Sequence, residues 1–314
     1  MESKVAMDVL VVGDANPDLV LRGDVRPRFG QEEQLLDAAD LVLGGSAAIT
    51  AMGCARLGLR TGLLAAVGAD VFGAFTRERL EERGVRLLPP AADVDATPTG
   101  LSVILSAPGD RAILTLPGTI PALRPEDVTD ALIAGSRHVH VSSLFLQPGL
   151  HAGLAGVFKR AKALGVTTSL DTNWDPSGRW TGLDEILAVT DVFLPNAAEL
   201  LAVTGAETTE VAAARLVALG TTVVLKDGAR GGRAWWPESA TATATATAPG
   251  LAVDVVDTTG AGDSFNAGFL AARLDGRTVA ESLGWAARAG SLSTRAAGGT
   301  AAQATPEELI PSAR

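Results

Sequence analysis

The sequence has no tyrosine, one cysteine and three histidines. With Cys54 alone no internal disulfide can form, and no Cys/His cluster offers zinc-ligand spacing. Three histidines are too few to build much of a metal site. Long apolar runs are missing too: nothing approaches the roughly 18 consecutive apolar residues of a membrane span. The opening stretch, MESKVAMDVLVVG, is too short for a secretory signal and lacks a cleavage pattern. The formal net charge of −10 argues against an extended phosphate-backbone partner such as DNA or RNA. It leaves room for a single nucleotide, which needs only a few local donors. No repeat of solenoid length and no interdomain linker is visible. The expectation is a soluble cytoplasmic protein with no nucleic-acid partner and no membrane partner. A hydrophobic content of 47% supplies a substantial core.

What the chain does contain is alternation. Apolar runs at 9–12, 62–67, 138–141, 167–170, 192–194 and 223–225 read as buried strands. Residues 47–57, 72–83, 150–164, 197–204, 211–219, 262–274 and 279–294 read as helices. This order predicts an α/β fold: a mostly parallel sheet covered on both faces, in one domain over 1–314. Two segments, 16–43 and 97–117, break the rhythm. They read as antiparallel strands outside the main sheet, with Pro108-Gly109-Asp110 as a hairpin turn. Such a unit is either a flap over a site or an edge hairpin packed on the core. The stretch 239–249, SATATATATAP, reads as an edge strand or a loop without function.

Chemistry concentrates in 257–265, DTTGAGDSF. Residues 253–256 before it read as a strand, and Phe265, Phe269 and Leu270 after it recur at helical spacing. A glycine-rich turn therefore opens a helix, with Asp263 in the first turn. The backbone N–H groups of Gly260, Ala261 and Gly262 can close on an anion. A carboxylate beside an anion site would repel the anion if it were only a binding group. It makes sense as a base that takes a proton from a nucleophile attacking that anion. This is a phosphoryl-transfer layout. The plainer reading is a glycine turn whose Asp is favoured by the helix dipole. A dinucleotide-binding dehydrogenase is disfavoured, since GDANPD stands after the first strand in place of G-x-G-x-x-G.

The stretch DTTGAGDSFNAGF resembles the second signature of the PfkB family of carbohydrate kinases, which have the ribokinase-like fold. GDANPD (13–18), GGSAAITAMGCARLG (44–58), VGADVFG (67–73), DTNWDPSGRW (171–180), PNAAEL (195–200) and KDGARGG (226–232) match further family motifs in order. The resemblance runs from Val11 to about Pro306. It implies a three-layer α/β/α core, a small β-sheet lid made from 16–43 and 97–117, ATP as donor and Mg²⁺ as cofactor. It implies Asp263 as general base and Gly260, Ala261 and Gly262 as the anion hole. Asn16, Asp18, Gly44, Gly45 and Ser46 would hold the acceptor. Asn196 and Glu199 match an N-x-x-E motif that orders the magnesium and phosphate shell, Glu199 through water. Lys226, Asp227, Gly228, Ala229, Arg230 and Gly231 would line ATP. Asp257 and Thr259 match positions that bind a monovalent cation, such as K⁺, in some members. Lids in the family often meet in homodimers.

Each of these residues also has a plainer reading. Asn196 and Glu199 are spaced as a helix cap after Pro195. Asn16 and Asp18 suit an Asx-turn. Lys226 suits a solvated surface, and Asp257 a brace for the turn. His138 and His140 read as core residues, and Trp174 and Trp180 as loop packing.

Two departures bear on the acceptor. Ile49 stands where ribokinases place an asparagine that touches the sugar. The loop SSLFLQP (142–148) carries no acid where ribokinases have one. A site that reads a hydroxyl discriminates through its polar partners, so both departures argue against plain ribose. The function expected is ATP-dependent phosphorylation of a hydroxyl of a small sugar or sugar acid. A nucleoside kinase of the same family is the alternative; it would need an apolar or aromatic pocket, and aromatics are only 4%. A non-catalytic binding protein of this fold would lack the base or the glycines, and both are present. Arg22, Arg26, Arg28 and Arg111 in the lid segments form a basic set that a phosphorylated acceptor would use.

Overall fold

A computed structural model describes residues 6–107, 110–239 and 241–310. The opening residues 1–5, Pro108-Gly109 of the expected hairpin turn, and Ala240 lie outside the described residues. The first strand sets the geometry. In β1 (Met7–Val12), Val9 and Val11 join one core cluster while Leu10 and Val12 join another. A strand sends successive side chains to opposite faces. An all-apolar strand is therefore stable only when both faces are covered, which is the position of a central parallel strand.

The remaining strands follow in chain order: β2 (Asn16–Gly23), β3 (Leu36–Gly44), β4 (Thr61–Leu64), β5 (Arg86–Leu88), β6 (Leu101–Ala107), β7 (Asp110–Leu116), β8 (Ser136–Ser142), β9 (Thr167–Asp171), β10 (Val192–Phe193), β11 (Thr222–Lys226), β12 (Gly232–Pro237) and β13 (Thr243–Ala248). Nine of them form one sheet in the order β13-β12-β11-β10-β9-β8-β1-β4-β5. Pairing is parallel from β11 to β5; β12 and β13 add an antiparallel edge. The other four form a separate sheet, β3-β2-β6-β7. Its outer pairs are antiparallel, and β2 pairs β6 in parallel with Asp18 opposite Ser102.

Helices cover both faces of the large sheet. Ser46–Arg56, Ala261–Leu274 and Val279–Ser293 bring Ala47, Ala51, Phe265, Phe269, Leu283 and Ala286 to one face. Leu154–Ala163 and Thr209–Val217 bring Phe158, Ala212 and Leu216 to the other. Fully buried side chains such as Phe158 and Phe269 each contribute roughly 1.5–3 kcal/mol of transfer free energy. The α/β fold class is as the sequence indicated. Among the described residues no helix is long and apolar enough to cross a membrane.

Several local expectations are corrected. Residues 253–256 are not a strand. The sheet already ends at β13, so this segment has no strand to pair with and lies along the last long helix instead. The Leu251 N–H donates to Ser291 Oγ at 2.9 Å and the Val256 N–H to the Thr294 carbonyl at 2.8 Å. The glycine-rich turn therefore hangs from a helix, not from a strand. The run 150–164 is not one helix; it divides into Pro148–His151 and Leu154–Ala163. Gly153 sits at the break, where a Cβ would lie 2.4 Å from the Pro125 ring. β5 and β12 were not anticipated. Within 239–249, Thr243–Ala248 is the edge strand, with Ala246 and Ala248 packed on the core.

Candidate active site

Ligands of open α/β sheets bind at the carboxyl ends of the strands, where the strand order reverses. Here that point is β1, whose neighbours are β8 and β4. Asp14 follows β1, Ser143 follows β8, Asn173 follows β9, and Lys226 ends β11. The helices Ser46–Arg56 and Ala261–Leu274 begin at the same place.

Two cavities meet there. The first, of about 190 Å³, is lined by Asp14, Asn16, Asp18, Gly45, Ser46 and Asp263, with Arg111 on its rim and Ile49, Ile104, Ile113, Ile120 and Leu146 as an apolar wall. The second, of about 510 Å³, is lined by Lys226, Gly228, Ala229 and Gly231 on one side and by Val253, Val255, Phe265 and Ala287 on the other. The turn between them faces both ways. Thr259, Gly260 and Asp263 line the first cavity, while Thr258, Ala261 and Gly262 line the second.

The turn is rigidly held. Gly260 has φ 69°, and a Cβ on it would sit 2.7 Å from Gly299 Cα, so only glycine fits. Asp257 Oδ1 accepts the Thr259 N–H at 2.9 Å and its hydroxyl at 2.8 Å; Oδ2 accepts the Gly298 N–H at 2.9 Å. Burial works against the Asp257 charge, but these donors outweigh it and hold the carboxyl below its usual range. The Ala261 N–H already turns to the Thr258 carbonyl at 3.2 Å. Those of Gly260 and Gly262 meet no backbone acceptor among the described residues, so two of the three expected anion donors remain available.

The carboxylates are unusual. Asp263 is 8% exposed and takes a hydrogen bond from the Ser46 hydroxyl on Oδ1. Burial, with the Asp171 charge second, pushes it up to about 7. Asp18 accepts the Asn16 amide at 3.0 Å; burial and the nearby Asp14 carboxylate push it up to about 7 as well. Asp14 is also raised by burial, although it accepts the Ala47 N–H and the Ser143 hydroxyl, each at 2.9 Å.

Behind them lies a buried ion pair. Lys226 Nζ donates to Asp171 Oδ2 at 2.5 Å, and the Asn266 amide donates to the same oxygen at 2.6 Å. Burial disfavours the Lys226 charge, but Asp171 and Glu199 outweigh it and hold the ammonium above its usual range. Burial raises Glu199, with Lys226 opposing.

The sequence-predicted residues divide. Asn16, Asp18, Gly45 and Ser46 line the first cavity. Gly44 does not; it backs Asp18, and a Cβ there would fall 2.1 Å from the carboxylate. Lys226, Gly228, Ala229 and Gly231 line the second cavity. Asp227 and Arg230 do not; they pair with each other at 2.5 Å, with Arg230 exposed and Asp227 largely covered. Asn196 and Glu199 form a reciprocal capping box, Asn196 Oδ1 accepting the Glu199 N–H at 2.9 Å and Glu199 Oε2 the Asn196 N–H at 2.8 Å. Asp257 lines neither cavity and braces the turn.

Residues 6–306 match the pfkB family of carbohydrate kinases. The chain belongs to this family. An ATP-dependent ribose-1-phosphate kinase of Halopiger xanaduensis is 34% identical over 288 residues, covering 90% of each chain. The structure of Arabidopsis thaliana ribokinase complexed with ribose and ATP covers 97% of each chain at a TM-score of 0.78 and 26% identity. A putative ribokinase II from E. coli, in complex with ATP and Mg²⁺, covers 96% of this chain and 97% of its own at a TM-score of 0.81 and 23% identity. The protein is thus an ATP-dependent carbohydrate kinase with the ribokinase fold, as its motifs indicated.

Within that family, the departures fall at the site itself. Ile49 is on the wall of the first cavity, as is Leu146 of the acid-free loop. His138 and His140 are core residues. Their ring nitrogens bond the hydroxyls of Thr167, Ser169 and Ser142 at 2.7–2.8 Å. Burial pushes them down to about 3 and about 4, so both are neutral at pH 7. Trp174 and Trp180 pack edge to face at 5.2 Å, in the loop. Sequence reasoning gave no role to Asp171, Asn173, Ser143 or Asn266. The motif DTNWDPSGRW contained the first two, but only the fold shows that β9 ends beside Asp263.

Proposed function

We propose that Asp263 takes the proton of an acceptor hydroxyl in the first cavity while ATP occupies the second. The observation that carries this is the turn 258–263, which forms the shared wall of the two cavities with the Asp263 carboxyl on the acceptor side. Asp18 and Asn16 hydrogen-bond the acceptor's hydroxyls and orient one toward Asp263. The Gly260 and Gly262 N–H groups face the group in transfer. Losing one such donor in comparable sites costs about 3 kcal/mol of barrier. Lys226 Nζ lies 3.6 Å from where a Gly262 Cβ would be, close enough to serve the phosphates as a point charge.

Among the described residues no three His, Cys, Asp or Glu side chains converge on a metal site. That fits Mg²⁺, which keeps several waters and is held chiefly by substrate phosphates with one or two carboxylates. Glu199, buried beside Lys226, would reach it through water, and the ion would supply charge neutralisation of the phosphates. Asp257 accepts three hydrogen bonds of the roughly four a carboxylate can take, which leaves capacity for a monovalent cation beside Thr259. Potassium activation of kcat tests that point.

The small sheet acts as a lid. Arg111 Nη1 on β7 donates to Thr259 Oγ1 at 3.0 Å, so the sheet touches the catalytic turn directly. Closure over the acceptor excludes water and suppresses ATP hydrolysis. The outer lid surface exposes Leu36, Leu41, Leu114 and Leu116, and a homodimer through the lids would cover them. A cytoplasmic location, where ATP is available, goes with this reading.

With Asp14 and Asp18 on its wall, the first cavity favours a neutral sugar over an anionic one; a sugar acid or sugar phosphate would set its anion on Arg111. A nucleoside is the second reading, favoured by the wall of Ile49, Ile104, Ile113, Ile120 and Leu146. ADP formation with free sugars, sugar acids, sugar phosphates and nucleosides, under Mg²⁺ with and without K⁺, ranks these readings. Turnover only with nucleosides would overturn the sugar assignment, and no ADP with any acceptor would overturn the function.

A further inference from the structure

β8 and β9 both run out into left-handed backbone at residues other than glycine. Ser143 has φ 55° and Asn173 φ 54°. L-residues avoid this region unless the surroundings hold them there. The two residues hold each other: the Ser143 N–H donates to Asn173 Oδ1 at 2.9 Å. Ser143 also donates its hydroxyl to Asp14 Oδ2 at 2.9 Å.

This contact fixes a chain of hydrogen-bond directions. A backbone N–H can only donate, so the Asn173 atom facing it must be the carbonyl oxygen. The Asn173 amide nitrogen then faces the other way, and it donates to Ser46 Oγ at 3.0 Å. Ser46 receives a proton from that side, so its single hydroxyl proton goes to its other partner, Asp263 Oδ1.

We propose that Asn173 is a positioning residue for phosphoryl transfer: it fixes Ser46 as a donor to Asp263 Oδ1 and so leaves Oδ2 to take the acceptor's proton. This rests on the reading of Asp263 as the base. The device has two effects. It holds the carboxylate in one rotation, and it favours the ionised, proton-accepting form, because Ser46 can donate to a carboxylate but cannot accept from a carboxylic acid without turning its own proton away.

The test uses Asn173→Gly, which keeps the left-handed backbone and removes the amide, and Asn173→Asp, which keeps an acceptor for Ser143 but competes for the Ser46 hydroxyl. The readouts are the pH profile of kcat at saturating sugar and ATP, the KM for ATP, and Tm. In both variants the acid limb of the profile is expected to move up by about one unit, the order of a charge-assisted hydrogen bond. At pH 7, in the middle of the limb, kcat should fall about fivefold, with the KM for ATP unchanged. In a Ser46→Ala background, Asn173→Gly should move the limb no further. A merely structural role would lower Tm and leave the limb in place. An unmoved limb in both variants overturns the proposal, as does an equal further shift in the Ser46→Ala background. If Asn173→Gly fails to fold, Asn173→Ser, which removes the amide without adding a charge, takes its place with the same expected and contrary results, because a carboxylate at 173 would raise Asp263 by repulsion alone. Abolition of the limb by Asp263→Asn shows that the base reading stands whatever the Asn173 variants do. Survival of the limb in Asp263→Asn removes that reading and the proposal with it.

Discussion

Gly44→Ala should damage acceptor binding without touching ATP. Gly44 lines neither cavity, and its backbone is outside the left-handed region, so alanine introduces no backbone strain there. The added Cβ would lie 2.1 Å from both Asp18 Cγ and Oδ1, and 2.3 Å from Oδ2. Ordinary contact begins near 3.4 Å, so the carboxylate must retreat by about 1 Å, which breaks a hydrogen bond of normal length. A hydrogen bond to a charged group contributes about 1.5–3 kcal/mol. At 1.36 kcal/mol per decade, the KM for the acceptor should rise about 10- to 150-fold, with the KM for ATP within a factor of two. Initial rates of ADP formation against each substrate measure both. An unchanged acceptor KM in a variant with unaltered Tm would refute the placement of Asp18 on the acceptor. A matching rise in the KM for ATP would show that the damage is general.

Three further outcomes follow from the same geometry. Asp263 must be ionised to accept a proton, and it is raised to about 7, so kcat should fall as pH drops through about 7. The same shift has a stability consequence. A carboxyl raised in the folded state binds extra protons there between about pH 4 and 7, so its contribution to stability is lost as pH rises through 7. Asp263→Asn removes that loss and should raise Tm at pH 8 relative to wild type; a lower Tm at pH 8 would contradict the burial argument. Lys226→Met leaves the buried Asp171 carboxyl without its ammonium partner. With side-chain exposures of 13% for Lys226 and 0% for Asp171, breaking the pair should cost about 3–5 kcal/mol, read as a lower midpoint in urea unfolding.

The large sheet was legible because its central strands are apolar on both faces: runs such as 9–12 and 223–225 have no amphipathic alternative. The small sheet was legible from alternation at 16–43 and 97–117. Residues 253–256 misled because three valines interrupted only by Asp254 look the same whether they pair in a sheet or line a cavity. Here Val253 and Val255 line the second cavity. Arg86–Leu88 was missed because three residues are too few for any period to show. In the site, the glycine turn with Asp263 in the first turn of a helix was legible because it lies within nine residues. Asn173, Ser143 and Asp171 were not, since only the meeting of strand ends from distant parts of the chain brings them there. Asp227 and Arg230 are adjacent in the same motif as Lys226 but pair with each other and do not line the second cavity.

The central claim is that Asp263 is the base of a phosphoryl transfer from ATP. Sugar-dependent ADP formation by Asp263→Asn, alongside ATP binding by the same variant, tests it most directly. The amide keeps the shape and still accepts from Ser46, but it cannot take the acceptor's proton. General-base catalysis is worth about 10²–10⁴-fold. In Asp263→Asn kcat should fall by about that factor, with the Kd for ATP within a factor of two. Turnover within tenfold of wild type, with ATP binding intact, would contradict it.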